Sequence, residues 1–171
     1  MDRQDLDELF SIAYEELKRL AATVRRTHPN ATLNPTALVH EAWIRLAGSA
    51  PLEIESPLHF KRVAARAMRH VLVDAARRRN AQKRGADVDF VRFDDTLHGG
   101  PSSAEDVLAL DDALERLSTF SPRQASMVEL RFFGGFEAAE TAELLSVSEA
   151  TVQRDWRAAR AWLAADLHRG C

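Results

Sequence analysis

Apolar residues recur along most of the chain at the three- and four-residue spacing of an amphipathic helix. Over residues 5–26, Leu6, Leu9, Phe10, Ala13, Leu17, Leu20, Ala21 and Val24 form one continuous stripe. After a turn holding Pro29 and Asn30, "LNPTALVHEAWIRLAG" (33–48) has the grammar of a second, shorter helix. Asn34 suits the N-cap, Pro35 the first helical position and Gly48 the end. Leu38, Val39, Ala42, Trp43 and Leu46 fall on one face. "GSAPLEIESP" reads as a loop in which Ser56 caps, and Pro57 opens, a third helix. That helix places Leu58, Phe60, Val63, Ala64, Ala67, Met68, Val71, Leu72 and Ala75 inward. Continued to about residue 84, it would be roughly 40 Å long.

The periodicity stops at residue 85. "GADVDFVRFDDTLHGGPSS" is acidic, ends in Gly, Pro and Ser, and reads as a linker. "DFVRF" alternates like a strand but has no partner strand, so loop is the expectation. Helical spacing resumes at 104–117, with Val107, Leu108, Leu110, Ala113, Leu114 and Leu117 inward. Ser121 and Pro122 open the next helix, and Gly134 and Gly135 end it. A helix over about 136–145, a turn of Ser146, Val147 and Ser148, and a last helix to about 167 complete the pattern. The fold class is therefore all-α: two small helical domains joined by an acidic flexible linker. Their expected bounds are 1–84 and 104–171, with the linker at 85–103.

Composition narrows the chemistry. The lone Cys171 excludes an intramolecular disulfide framework and gives no metal-ligand spacing. The six His are scattered, and "HEAWI" lacks the second His of a zinc-protease helix. No catalytic motif and no cofactor motif is present, so the chain is not expected to be an enzyme. No apolar run is long enough for a membrane span and no signal-peptide pattern opens the sequence, which points to the cytoplasm. The net charge of −3 hides an asymmetry. Over 61–84, Lys61, Arg62, Arg66, Arg69, Arg77, Arg78, Arg79, Lys83 and Arg84 face Asp74 alone. Over 85–112 the balance reverses, with eight Asp and Glu against Arg92. A polyanion-binding surface followed by a segment that avoids it has this pattern; so does a solvated helix face beside a solvated linker.

The last two helices are more specific. A short helix, a three-residue turn and a helix rich in polar residues near its start make a helix-turn-helix arrangement. Ala139, Ala142, Leu144 and Leu145 would pack the first helix, Val147 the turn, and Val152, Trp156, Ala159 and Leu163 the second. Glu149, Thr151, Gln153, Arg154, Arg157 and Arg160 then stand on the outer side. Gln and Arg can read base edges in the major groove, while Thr151 and the outer Arg residues suit phosphates. An ordinary helical hairpin with a charged face is the competing interpretation.

In this stretch, "LERLSTFSPRQASMVELRFFGGFEAAETAELLSVSEATVQRDWRAARAWL" resembles the domain of bacterial extracytoplasmic-function (ECF) sigma factors that reads the promoter −35 element. "ALVHEAWIRL" resembles the helix that binds core RNA polymerase, and "HFKRVAARAMRHVLVDAARRRNAQKRG" the helix that engages the −10 element. The resemblance spans nearly the whole chain, in order. It implies core polymerase (the β′ clamp helices and the β flap) and promoter DNA as partners, with an anti-sigma factor or a Ser/Thr kinase as further candidates. It implies core contacts at Leu38, Glu41, Trp43 and Arg45, although Leu38 and Trp43 also fit helix packing. It implies −10 contacts at His59, Phe60, Arg62, Arg66, Arg69, Arg77 and Arg78, although Phe60 fits the core better than a base-stacking role. A flipped base would meet the loop over 47–56. The −35 contacts would be Thr151, Gln153, Arg154, Arg157 and Arg160.

The chain departs from the family in its last helix, where Trp156 and Ala158 also replace a Leu and an Arg, and at the start of the core-binding helix. Where relatives carry a Lys-Ser-Arg run after "TV", it has Gln153, Arg154 and Asp155. Where relatives start the core-binding helix with an acidic "DAED", it has Asn34, Pro35, Thr36 and Ala37, leaving Glu41 alone. Charge is thus missing where the resemblance places a basic partner surface. Glu41 with apolar contacts is one way to bind regardless. Phosphorylation of Thr36 is another, since phosphate brings close to two negative charges to a helix N-terminus. The resemblance implies a sigma factor directing promoter-specific initiation. A stand-alone helix-turn-helix regulator and a helical adaptor that binds polymerase without reading DNA are the alternatives.

Overall fold

The computed structural model describes residues 3–27, 34–48, 54–82 and 104–169. Among these, helices follow in the order α1 (Arg3–Thr27), α2 (Pro35–Ala47), α3 (Pro57–Gln82), α4 (Ala104–Phe120) and α5 (Pro122–Val128). A π-helical turn (Glu129–Phe133), α6 (Ala138–Leu145) and α7 (Glu149–Arg169) complete the chain. The described residues contain no strand. The fold is all-α. The segment expected as a linker, including "DFVRF", lies outside the described residues, as does the end expected for α3.

Local chemistry explains the helix starts. The Asn34 side chain accepts from the Ala37 amide at 2.8 Å, with Pro35 in the first turn. Ser56 Oγ accepts from the His59 amide at 3.1 Å. Ser121 makes no side-chain cap bond, contrary to expectation, so Pro122 alone defines that start. α6 begins at Ala138 rather than near 136, because Glu137 and Glu140 satisfy each other's amides in a capping box. Its outer side carries Ala139, which the apolar pattern places inward, and Thr141 is buried instead.

α3 is the central element. Phe60, Ala64 and Met68 pack against Leu17 of α1 and Val39, Ala42 and Leu46 of α2, as the apolar stripe predicts. A second stripe, Ala65, Arg69, Val73 and Ala76, is also buried, and α3 packs on that side against α4 and the π-helical turn. A helix buried on two sides has a weak amphipathic signature. The two halves of the chain therefore meet along α3. Gly134, after the π-helical turn, is required by this contact. A Cβ there would lie 2.5 Å from the Leu130 carbonyl oxygen and 2.9 Å from Ala65 Cβ.

Candidate nucleic-acid interface

α7 is fixed from within and polar without. Val152, Ala159 and Leu163 are buried, and Asp155 between them is buried too. The Asp155 carboxylate accepts from Arg123 of α5 at 2.7–2.8 Å, tying α7 to the preceding unit. The Arg131 guanidinium lies 4.4 Å from the Trp156 ring centroid. Burial holds the Arg131 pKa below the ordinary arginine value, with Glu137 opposing, and the ring face offsets part of the lost hydration. These anchors turn Gln153, Arg154 and Arg157 outward, where all three are exposed. Thr151 is half-buried and its hydroxyl lies 3.0 Å from that of Ser148, which also accepts from the Thr151 amide. Arg160 is half-buried as well, leaving Arg157 as the better-exposed cation of the two. The turn itself is tight, with Ser146 left-handed at φ 54°.

On α3, the expected DNA-facing residues divide. Arg62, Arg66 and Arg78 are all exposed. Arg62, Arg66 and His59 line a cleft of about 210 Å³, with Ser126, Glu129 and Leu130 opposite. Arg77 pairs with Asp74 at 3.4 Å and approaches Asp111 at 3.8 Å. Phe60 is 1% exposed and sits in the core, where no base can stack on it. Arg69 is only 8% exposed and is held by three carboxylates: Asp111, Glu115 and Glu129. In this arrangement Phe60 and Arg69 are both withdrawn from DNA.

α2 shows the same division. Leu38 is buried, and Trp43 stacks on Phe10 with ring centroids 4.4 Å apart, so both serve packing here. Glu41 is exposed. Arg45 forms an ion pair with Asp74 of α3. The hydrogen bond from Arg45, together with the charges of Arg45, Arg77 and Arg78, holds the Asp74 carboxyl below the usual range. Ile44, close to Glu41 on the same helix, is 62% exposed and is a surface candidate that the apolar pattern passes over. Its signal is present: in "HEAWIRL" it alone of the larger apolar residues lies off the buried stripe. The first turn of α2 has no acidic residue, and Thr36 there is half-buried.

The described residues are all-helical, with a polar face on one anchored helix and exposed arginines on another, an arrangement compatible with a helical nucleic-acid-binding class of protein. The family model for ECF sigma factors matches residues 2–169, and the chain belongs to that family. It is accordingly a non-enzymatic sigma factor that directs transcription initiation, with core RNA polymerase and promoter DNA as partners. No curated protein and no solved structure matches it significantly. No described helix is long and apolar enough to cross a membrane.

Proposed function

We propose that residues 1–84 act as the core-binding and −10-reading domain, and residues 104–171 as a −35-reading domain whose helix-turn-helix is α6 and α7. The observation that carries this reading is α7: three base- and phosphate-competent side chains face outward from a helix anchored by Asp155 and Trp156. Gln153 and Arg154 read base edges, and Arg157 meets phosphate. On α3, Arg62, Arg66 and Arg78 meet the −10 element, with His59 at the start of the same helix. Glu41, with Ile44 beside it, addresses the polymerase clamp, and the β flap is the expected contact of the −35 domain. Thr36 is the site at which a Ser/Thr kinase activates the protein.

The purified protein, wild-type and Thr36→Glu, should co-elute with core polymerase and confer initiation on a restricted set from a genomic promoter library. Failure of both forms to bind any polymerase subunit overturns the reading. Tight binding to DNA as a dimer, without polymerase, would favour the stand-alone regulator instead.

Gln153→Ala and Arg154→Ala should relax selectivity at particular −35 positions, each by about 1–3 kcal/mol where the side chain hydrogen-bonds a base edge. Arg157→Ala should weaken all promoter variants alike and flatten the salt dependence by about one unit. Competition binding across single-base −35 variants at several salt concentrations separates the two roles. Uniform losses for all three substitutions would mean that Gln153 and Arg154 position the helix rather than read bases.

A further inference from the structure

Arg62 and Arg66 stand on α3 without an anion. Elsewhere on the helix Arg69 is held by carboxylates, Arg77 pairs with Asp74, and Lys61 pairs with Glu16 at 2.7 Å. Arg62 and Arg66, four residues apart and so neighbours on one face, make no ion pair or side-chain hydrogen bond among the described residues. They line the cleft of about 210 Å³ whose far wall carries Ser126 of α5. Ser126 is half-buried, and its hydroxyl likewise makes no hydrogen bond among the described residues. His59, one turn before Arg62, lines the same cleft. Its Nδ1 accepts from the Glu55 amide at 3.3 Å, which makes Nε2 the donor left to the neutral ring. Unused donors from α3 and α5 thus share one cleft, in which Glu129 is the one carboxylate among the lining residues. We propose that this cleft is a site for a small polyol phosphate, with the phosphate on Arg62, Arg66 and Ser126 and a hydroxyl on Glu129.

Charge selects the phosphate. A dianion between two guanidinium groups gains charge-assisted hydrogen bonds, which arginine's planar fork forms in pairs. Glu129 does not cancel this field, because its Oε2 already accepts from Nη1 of the buried Arg69 at 2.8 Å. Its other carboxylate oxygen makes no hydrogen bond among the described residues. That oxygen can accept from a hydroxyl, and it would repel a second phosphate group. Val63 and Leu130 add apolar wall for a carbon skeleton. A free phosphate ion would leave both the wall and Glu129 unused. Size sets the upper bound. At about 210 Å³ the cleft falls below the roughly 300–1,000 Å³ of sites for drug-sized ligands, so a three-carbon phosphate suits it better than a nucleotide. Arg62 and Arg66 are also the proposed −10 contacts, so the ligand and DNA phosphate would compete for them. That consequence rests on the sigma-factor reading above; the site itself does not.

The test is calorimetric titration of the full-length protein with glycerol 3-phosphate, against sodium chloride at matched ionic strength and against inorganic phosphate. Glycerol 3-phosphate should fill one site per chain and bind about threefold or more tighter than inorganic phosphate, the worth of one added hydrogen bond. Arg62→Gln/Arg66→Gln should weaken it by roughly tenfold or more. The melting temperature of that variant should not move, since both side chains are exposed. Ser126→Ala should weaken it about three- to tenfold, as for one lost hydrogen bond. Lys18→Gln/Arg169→Gln, which removes the same charge from exposed positions elsewhere, should bind the ligand like wild type. In parallel, glycerol 3-phosphate should displace a fluorescent single strand carrying a selected −10 element more effectively than chloride at the same ionic strength. No saturable heat beyond the chloride blank would overturn the site. Equal losses in the two double variants, or unchanged affinity in Ser126→Ala, would also overturn it. Inorganic phosphate binding as tightly as glycerol 3-phosphate would overturn the polyol assignment. Binding without displacement of DNA would leave the site standing and remove Arg62 and Arg66 from the −10 reading.

Discussion

Phe60→Ala is expected to destabilise the protein by about 3–5 kcal/mol, the range for deleting a buried aromatic side chain. The ring is enclosed by Leu17 of α1, Val39, Ala42 and Leu46 of α2, and Ala64 and Met68 of its own helix. Those neighbours belong to three helices whose positions are fixed by many other contacts, so they cannot collapse into the space left behind. For a chain of this size a loss of about 4 kcal/mol lowers the melting temperature by about 10 °C. Phe60→Leu keeps most of the volume and should lose less than half as much. Thermal or urea unfolding of the two variants decides between core and stacking roles. A Phe60→Ala protein that melts like wild type but no longer binds −10 DNA would show that the ring serves a base rather than the core.

That ambiguity illustrates how far the pattern of apolar residues reaches. Helical spacing identifies the stripes of α2, α4 and α7 because each of these helices buries essentially one side. It under-reads α3, where burial of Ala65, Val73 and Ala76 adds a second face that no amphipathic stripe can express. The closure of the two halves is illegible for the same reason. The contact depends on Gly134 giving room to Ala65, and a glycine after "RFF" looks only like a helix end. The start of α6 falls later than the apolar pattern suggests because Glu137 and Glu140 satisfy amides that such a pattern does not describe.

For the candidate interface, residue type is legible and availability is not. Gln153, Arg154 and Arg157 stand outward, as the spacing of Val152, Ala159 and Leu163 dictates. Among the α3 arginines, nothing local distinguishes Arg69 from Arg66. The difference lies in Asp111, Glu115 and Glu129, 42 to 60 residues away along the chain. Arg45 and Asp74 repeat the lesson on a smaller scale. Asp155 looks like a departure within a reading helix, yet it is a buried anchor, because its partner Arg123 lies on α5. Long-range ion pairing thus decides which charges remain for a ligand, and the sequence neighbourhood does not encode it.

Thr36→Ala should abolish promoter output under inducing conditions while leaving the fold intact. The first turn of α2 contains no carboxylate, although its amides and dipole favour negative charge there. Asn34 already caps the helix through the Ala37 amide, so the Thr36 hydroxyl is not needed as the cap. Alanine is the best helix former, and its introduction one position after Pro35 should change stability by less than about 0.7 kcal/mol. The loss would therefore be functional. Phosphate on Thr36 would add about 1.5–2 negative charges and three acceptor oxygens that a basic clamp surface can pair with. The helix N-terminus contributes a further 0.3–1 kcal/mol or so to the charged form. Thr36→Glu, with one charge and planar geometry, should recover only part of the output. Thr32 precedes the cap and lies outside the described residues; Thr32→Ala should behave as wild type. A reporter fused to a responsive promoter, read alongside the melting temperature of each variant, checks all three. Wild-type output from Thr36→Ala would make Thr36 an ordinary helix-start residue and leave Glu41 and Ile44 to bind the polymerase unaided.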